Sequence, residues 1–129
     1  MNKKVNELIP KALDAITNSR MAVNGKFEKE YKGYIASMGA SIIQSGLIAT
    51  LAFYSNVSEK TVKRKNVLDA ILLLIAPNDQ KDLLKYVLSK VKPNNAAALN
   101  SDELKKFEIK ISDALIALKL ALRTFKQNE

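Results

Sequence analysis

The sequence predicts an all-α protein, a single compact bundle of about six helices spanning residues 1–129. Three observations lead there. Apolar residues recur at three- and four-residue steps along nearly the whole chain, and no stretch alternates convincingly with a period of two. Capping and breaking residues (Asn, Ser, Asp, Gly, Pro) fall between the periodic segments, where helices begin and stop. At 129 residues, 47% of them hydrophobic, the chain can enclose one core and is too short for two.

The first helix carries Val5, Leu8, Ile9, Ala12, Leu13 and Ile16 on one stripe. Pro10 sits inside it and, with no N–H to donate, predicts a kink or a fresh start. Asn24-Gly25 reads as a helix stop. The next segment, "KFEKEYKGYIASM", puts Phe27, Tyr31, Tyr34, Ile35 and Met38 on one side, with a bend expected near Gly39. A fourth element carries Val67, Leu68, Ile71, Leu72 and Ile75 after a cap at Ser58 or Thr61, and stops at Pro77. Asn78 or Asp79 is the expected cap of a shorter helix holding Leu83, Leu84, Val87, Leu88 and Val91, closed by Lys92-Pro93. "PNNAAALN" reads as a linker. The last helix opens at Asn100 or Ser101, with Asp102 and Glu103 favourably placed at the positive end of its dipole. Leu104, Phe107, Ile111, Leu115, Leu118, Leu122 and Phe125 then form a packing seam, and Lys119, Arg123 and Lys126 gather at its end.

Between Gly33 and Ser58 the chain has no charged residue. On a helical wheel Ile35, Met38, Ile42, Ala49 and Phe53 fall on one side, with Gly46 at its centre. Ser37, Ser41, Gln44, Ser45 and Ser55 fall on the other, mixed with Ile48 and Ala52. Serines, a threonine and a glutamine dilute the stretch too far for a membrane span, and no second span accompanies it. A central core helix accounts for the apolar face. Glycine costs about 1 kcal/mol against alanine inside a helix, so Gly46 predicts a close approach of a neighbouring backbone. Gln44, Gly46, Leu47 and Phe53 are therefore assigned to packing or a subunit interface, with ordinary burial the competing reading.

Composition removes most enzyme classes. With no cysteine there is no disulfide, thiolate nucleophile or zinc-thiolate site, and with no histidine the commonest general base and metal ligand is missing. Glu28 and Glu30 diverge on a helix, and Asp79 and Asp82 read as cap residues. No glycine loop suits a phosphate, and no nucleophile has a base beside it. No catalytic residue, cofactor, metal or small-molecule substrate is expected. The amino terminus lacks the pattern of a signal peptide, and the expected location is cytoplasmic.

The net charge is +8 and unevenly spread. Residues 1–66 hold 11 Lys/Arg against 5 Asp/Glu, a balance of +6; residues 67–129 hold 10 against 8, a balance of +2. Such an excess concentrates polyanions. Lys26, Lys29 and Lys32 recur every three residues, and Lys63, Arg64 and Lys65 form a run at a helix start, where cations are unfavourable unless an anion relieves them. For either cluster alone a solvated lysine face is the simpler reading. Together, with Arg20, they make a candidate RNA-backbone surface that would grip phosphates without reading sequence.

The stretch "YKGYIASMGASIIQSGLIATLAFYS", Tyr31 to Ser55, resembles the small helical subunit of the Cmr complex, the type III-B CRISPR RNA-guided effector. That family carries an aromatic-rich helix, an apolar stretch with a central Gly-Leu, and a run ending in Ala-Phe. Tyr31, Tyr34, Ile43, Gly46, Leu47, Ala52 and Phe53 stand at those places here. The resemblance implies a non-catalytic subunit of antiviral defence, stacked with copies of itself and the large subunit in the minor filament. There it would help hold target RNA paired with guide RNA, with no membrane partner. A helical protein-interaction module without nucleic-acid contact is the alternative. A DNA-binding regulator fits less well, because no helix presents base-reading Arg, Asn and Gln at its start.

Overall fold

The computed structural model describes residues 2–56, 58, 61–93 and 98–128. Six helices occupy them: α1 Lys3–Asn18, α2 Glu30–Ser45, α3 Leu47–Tyr54, α4 Val62–Ile75, α5 Leu83–Val91 and α6 Ser101–Leu122. The architecture is all-α, as expected, with one small addition. Two-residue strands β1 Ala22–Val23, β2 Lys26–Phe27 and β3 Lys126–Gln127 form a sheet in the order β1-β2-β3.

The central helix is α6, which packs on α1, α4, α2 and α5. Its buried residues, Phe107, Ile111, Ala114, Leu115, Ala117, Leu118, Ala121 and Leu122, follow the predicted seam. Alanines on its core face, with Ala12 and Ala15 buried on α1, keep side chains short where the two helices meet. Met38, Leu47, Leu51, Val67, Ile71 and Val87 bring the remaining helices into the same core. Among the described residues no buried polar side-chain atom is left without a partner.

Side-chain caps fix three of the six helix starts. The Asn2 side chain accepts from the Val5 amide, that of Asp82 from Lys85, and that of Asn100 from Glu103. The cap of α5 is thus Asp82 rather than Asn78 or Asp79, and the helix spans the apolar pattern from Leu83 to Val91. Residues 94–97, within the predicted linker, lie outside the described residues. Pro10 lies within a continuous α1 on an exposed position, so its ring faces solvent and the helix does not restart.

Two expectations about the chain's path are corrected. Asn24-Gly25 does not stop a helix: α1 ends at Asn18, and Asn24 (φ 55°) and Gly25 (φ 76°) form the two-residue turn of the β1–β2 hairpin. Both residues tolerate positive φ, which a turn of matching twist requires. Lys26 consequently sits in a strand, and the periodicity of Lys26, Lys29 and Lys32 is not that of one helix.

The charge-free stretch is two helices, and Gly46 divides them. Helix α2 passes through Gly39 without a break, then ends at Gly46 with φ 93° and ψ 162°, a backbone region essentially restricted to glycine. A Cβ on Gly46 would meet nothing within 4 Å. The residue is needed for its backbone angles, not for a close approach. Thr50 Oγ1 donates to the Gly46 carbonyl at 2.8 Å and bonds Ser41 Oγ at 2.7 Å, fastening α3 to α2 across the corner. The corner also changes the helical phase. Leu47, Thr50, Leu51 and Tyr54 are buried in α3, whereas Phe53, assigned to the apolar side of one long helix, is 59% exposed.

Candidate nucleic-acid interface

The two basic runs meet at a carboxylate. Lys63, in the first turn of α4, places Nζ 3.0 Å from Oε2 of Glu30, the first residue of α2. Lys29 precedes Glu30 as the cap residue of α2 and makes no capping bond with its side chain. The hydrogen bond from Lys63 holds the Glu30 carboxyl below the usual carboxylate range, assisted by Glu30's own backbone and the charges of Lys63 and Lys29. The same bond raises the Lys63 ammonium. Near this pair, Asn66 donates to the phenol of Tyr31 at 2.9 Å; Tyr31 is buried, and burial pushes that phenol up.

Arg64 turns to a box of rings. Its guanidinium carbon lies 4.9 Å from the ring centroid of Phe53, 5.7 Å from Tyr54 and 6.0 Å from Tyr34. Phe53 and Tyr54 meet edge to face at 5.3 Å. Burial raises the Tyr54 phenol as well. A guanidinium spread over three aromatic faces is held in one orientation while remaining a cation.

The other predicted contacts go elsewhere. Lys65 pairs with Asp69 at 2.8 Å and lines a polar cleft of about 530 Å³. Arg20 lines the same cleft from a left-handed backbone (φ 69°), and Lys81 joins them. Residues 20 and 65 are thus brought to one place from distant parts of the sequence. Lys32 lies 5.6 Å over the Phe27 ring and lines a groove between α2 and α6 with Lys119 and Arg123. Lys26 is exposed on the hairpin. The seven cations therefore occupy distinct surroundings, at the amino-terminal ends of α2 and α4, on the hairpin and in the loop after α1. Leu47 is core, Gln44 is exposed, and Phe53 presents its ring at the surface beside Arg64.

Sequence reasoning missed Lys81 and the ring box. Phe53-Tyr54 and Arg64 share no period, so only the α3–α4 packing puts them together. Among the described residues no group of three or more acidic side chains could hold a metal ion, and no helix is long and apolar enough to cross a membrane.

The chain matches the family model of the CRISPR-associated protein (Cas_Cmr5) over residues 5–107. No curated protein and no solved structure matches it.

Proposed function

The chain belongs to the Cas_Cmr5 family of CRISPR-associated proteins, the small subunit of the type III-B complex, and from that premise we propose that it holds RNA without cleaving it. In this reading the subunit works in the cytoplasm and stacks with copies of itself and the large subunit along the minor filament. It presents fixed positive charge to target RNA paired with the guide. Base pairing reads the sequence, and the protein supplies charge and shape.

The observation that carries the reading is the Lys63–Glu30 pair, which draws the basic starts of α2 and α4 together and sets Lys29 beside them. Arg64, oriented by its rings, follows Lys63 in the first turn of α4. A run of cations at the start of α4 opposes that helix's dipole, and a phosphate would relieve it. Exposed Phe53 offers a ring face on which a base can stack.

The test is charge reversal in the reconstituted complex. A Lys63→Glu/Arg64→Glu/Lys65→Glu variant that still assembles should lose target-RNA retention, most steeply as salt rises. Full retention across the salt series by an assembled variant would remove these residues from the interface. The alternative reading, a protein-interaction module, draws support from exposed Phe53 and Ile43, and predicts that lysine substitutions change nothing while apolar ones block assembly.

A further inference from the structure

An apolar depression lies between α2 and α6. It encloses about 540 Å³ over a floor of Ala36, Gly39, Ala40 and Leu115, between the flanking isoleucines Ile43 and Ile116. A second cleft of about 350 Å³ continues it past Ile43 and Ile109. Ile43 is 88% exposed, Ile109 64% and Ile116 44%. Three isoleucines along one groove make a contiguous apolar surface of the kind that marks an interaction site.

Charge is segregated along this groove. Lys32, Lys119 and Arg123 line one end, and Glu108 and Asp113 line the other. The ends are fixed by the antiparallel course of α2 and α6. The chain just before α2 pairs with the chain just after α6 (Lys26 opposite Lys126), while Ile42 and Ile43, near the carboxyl end of α2, share the second cleft with Glu108 and Ile109. Asp113 also accepts from Asn2 at 3.3 Å.

We propose that the α2–α6 groove docks an amphipathic helix of another subunit of the complex, lying parallel to α2 with its acidic first turn at the Lys32–Lys119–Arg123 end. The apolar floor selects protein over RNA. Two antiparallel helices separated by small residues leave a furrow that a third helix fills, ridge into groove. Between Lys32 and Ile43, α2 rises about 17 Å, the length of three helical turns. Polarity follows from the charges. Natural helices favour Asp and Glu at their start and Lys and Arg at their end, which match the cationic and acidic ends of the groove only in this direction.

The proposal rests on the chain's place in a multisubunit complex, and it is tested in that complex. A photoactivatable benzoylphenylalanine is placed at position 36 or 109, the complex is assembled and irradiated, and crosslinked peptides are identified by mass spectrometry. Both positions should capture one segment of one other subunit. Position 36 should reach its acidic amino-terminal half and position 109 its basic carboxyl-terminal half.

A second variant, Gly39→Leu, fills the furrow. A Cβ there meets nothing within 4 Å, so the fold should be kept while crosslinking falls at least tenfold. Crosslinks to RNA, to a second copy of this chain, in the reverse order, or absent from an assembled complex would overturn the proposal. So would undiminished crosslinking with Gly39→Leu. Salt-dependent RNA retention without crosslinks defeats the groove alone; crosslinks without it defeat the RNA reading alone.

Discussion

Lys63 and Glu30, separated by 33 positions in sequence, are joined by an ion pair of 3.0 Å. Both side chains are open to solvent, so the pair serves less to stabilise the fold than to set where charge sits at the start of two helices. It neutralises one lysine and sets Lys29 beside the pair. That relationship carries a titration signature.

The bond from Lys63 depresses the folded-state pKa of Glu30. A depressed carboxyl contributes its stabilisation above its ordinary pKa and loses it as pH falls through the lowered folded value. Carbon-detected NMR of the Glu30 carboxyl should give a midpoint below the reference 4.5. Lys63→Gln should move that midpoint back upward; an unchanged midpoint would mean the pair does not persist in solution.

Removing the carboxylate should expose the cation. Glu30→Gln leaves Lys63 without its partner and deletes a charge that repels phosphate. In the assembled complex RNA affinity should rise, and the log-log salt slope should steepen by about 0.7–0.9, the share of one added phosphate contact. Filter binding across a salt series reads both quantities.

Two glycines of the charge-free stretch should respond oppositely to alanine. Gly46 occupies backbone angles that other residues avoid, so Gly46→Ala should destabilise by about 1–3 kcal/mol although nothing crowds the new methyl. Gly39 lies inside α2 with open space around it, so Gly39→Ala should stabilise by about 0.5–1 kcal/mol. Thermal and urea unfolding of the pair distinguish backbone strain from packing.

Thr50 is a buried polar residue whose hydroxyl joins α2 to α3 through Ser41 and the Gly46 carbonyl. Thr50→Val keeps the shape and removes both bonds. A loss of about 1–2 kcal/mol is expected, roughly the net worth of the two hydroxyl bonds, while the Gly46 carbonyl keeps the Thr50 amide at 3.2 Å. Crystallography or amide exchange should show the α2–α3 corner loosening first.

Several elements were legible in the sequence because their causes are local. The α6 seam, its Asn100 cap and the buried positions of α1 and α4 follow from periodicity and capping alone. The hairpin was missed although Asn-Gly is a strong turn signal, because strands of two residues are too short to show alternation. Phe53 was placed on the core side because a wheel drawn across Gly46 assumes one continuous helix, and a single residue at φ 93° resets the phase of everything after it. Equal legibility did not extend to the candidate interface. Lysine spacing predicted two clusters, but spacing says nothing about Glu30 capturing Lys63, Asp69 capturing Lys65, or Arg64 turning onto three rings.

The sequence by itself determined the helical class, the family to which the chain belongs, and the surplus of positive charge in its first half. Those properties are sums over residues or patterns within one turn of their neighbours, and no distant contact can alter them. Only the tertiary structure decided which cations pair with carboxylates, which aromatic ring reaches the surface, and how the α2–α6 groove separates its charges. Each of those depends on the packing of helices remote in sequence, where a shift of one residue in phase exchanges a buried side chain for an exposed one.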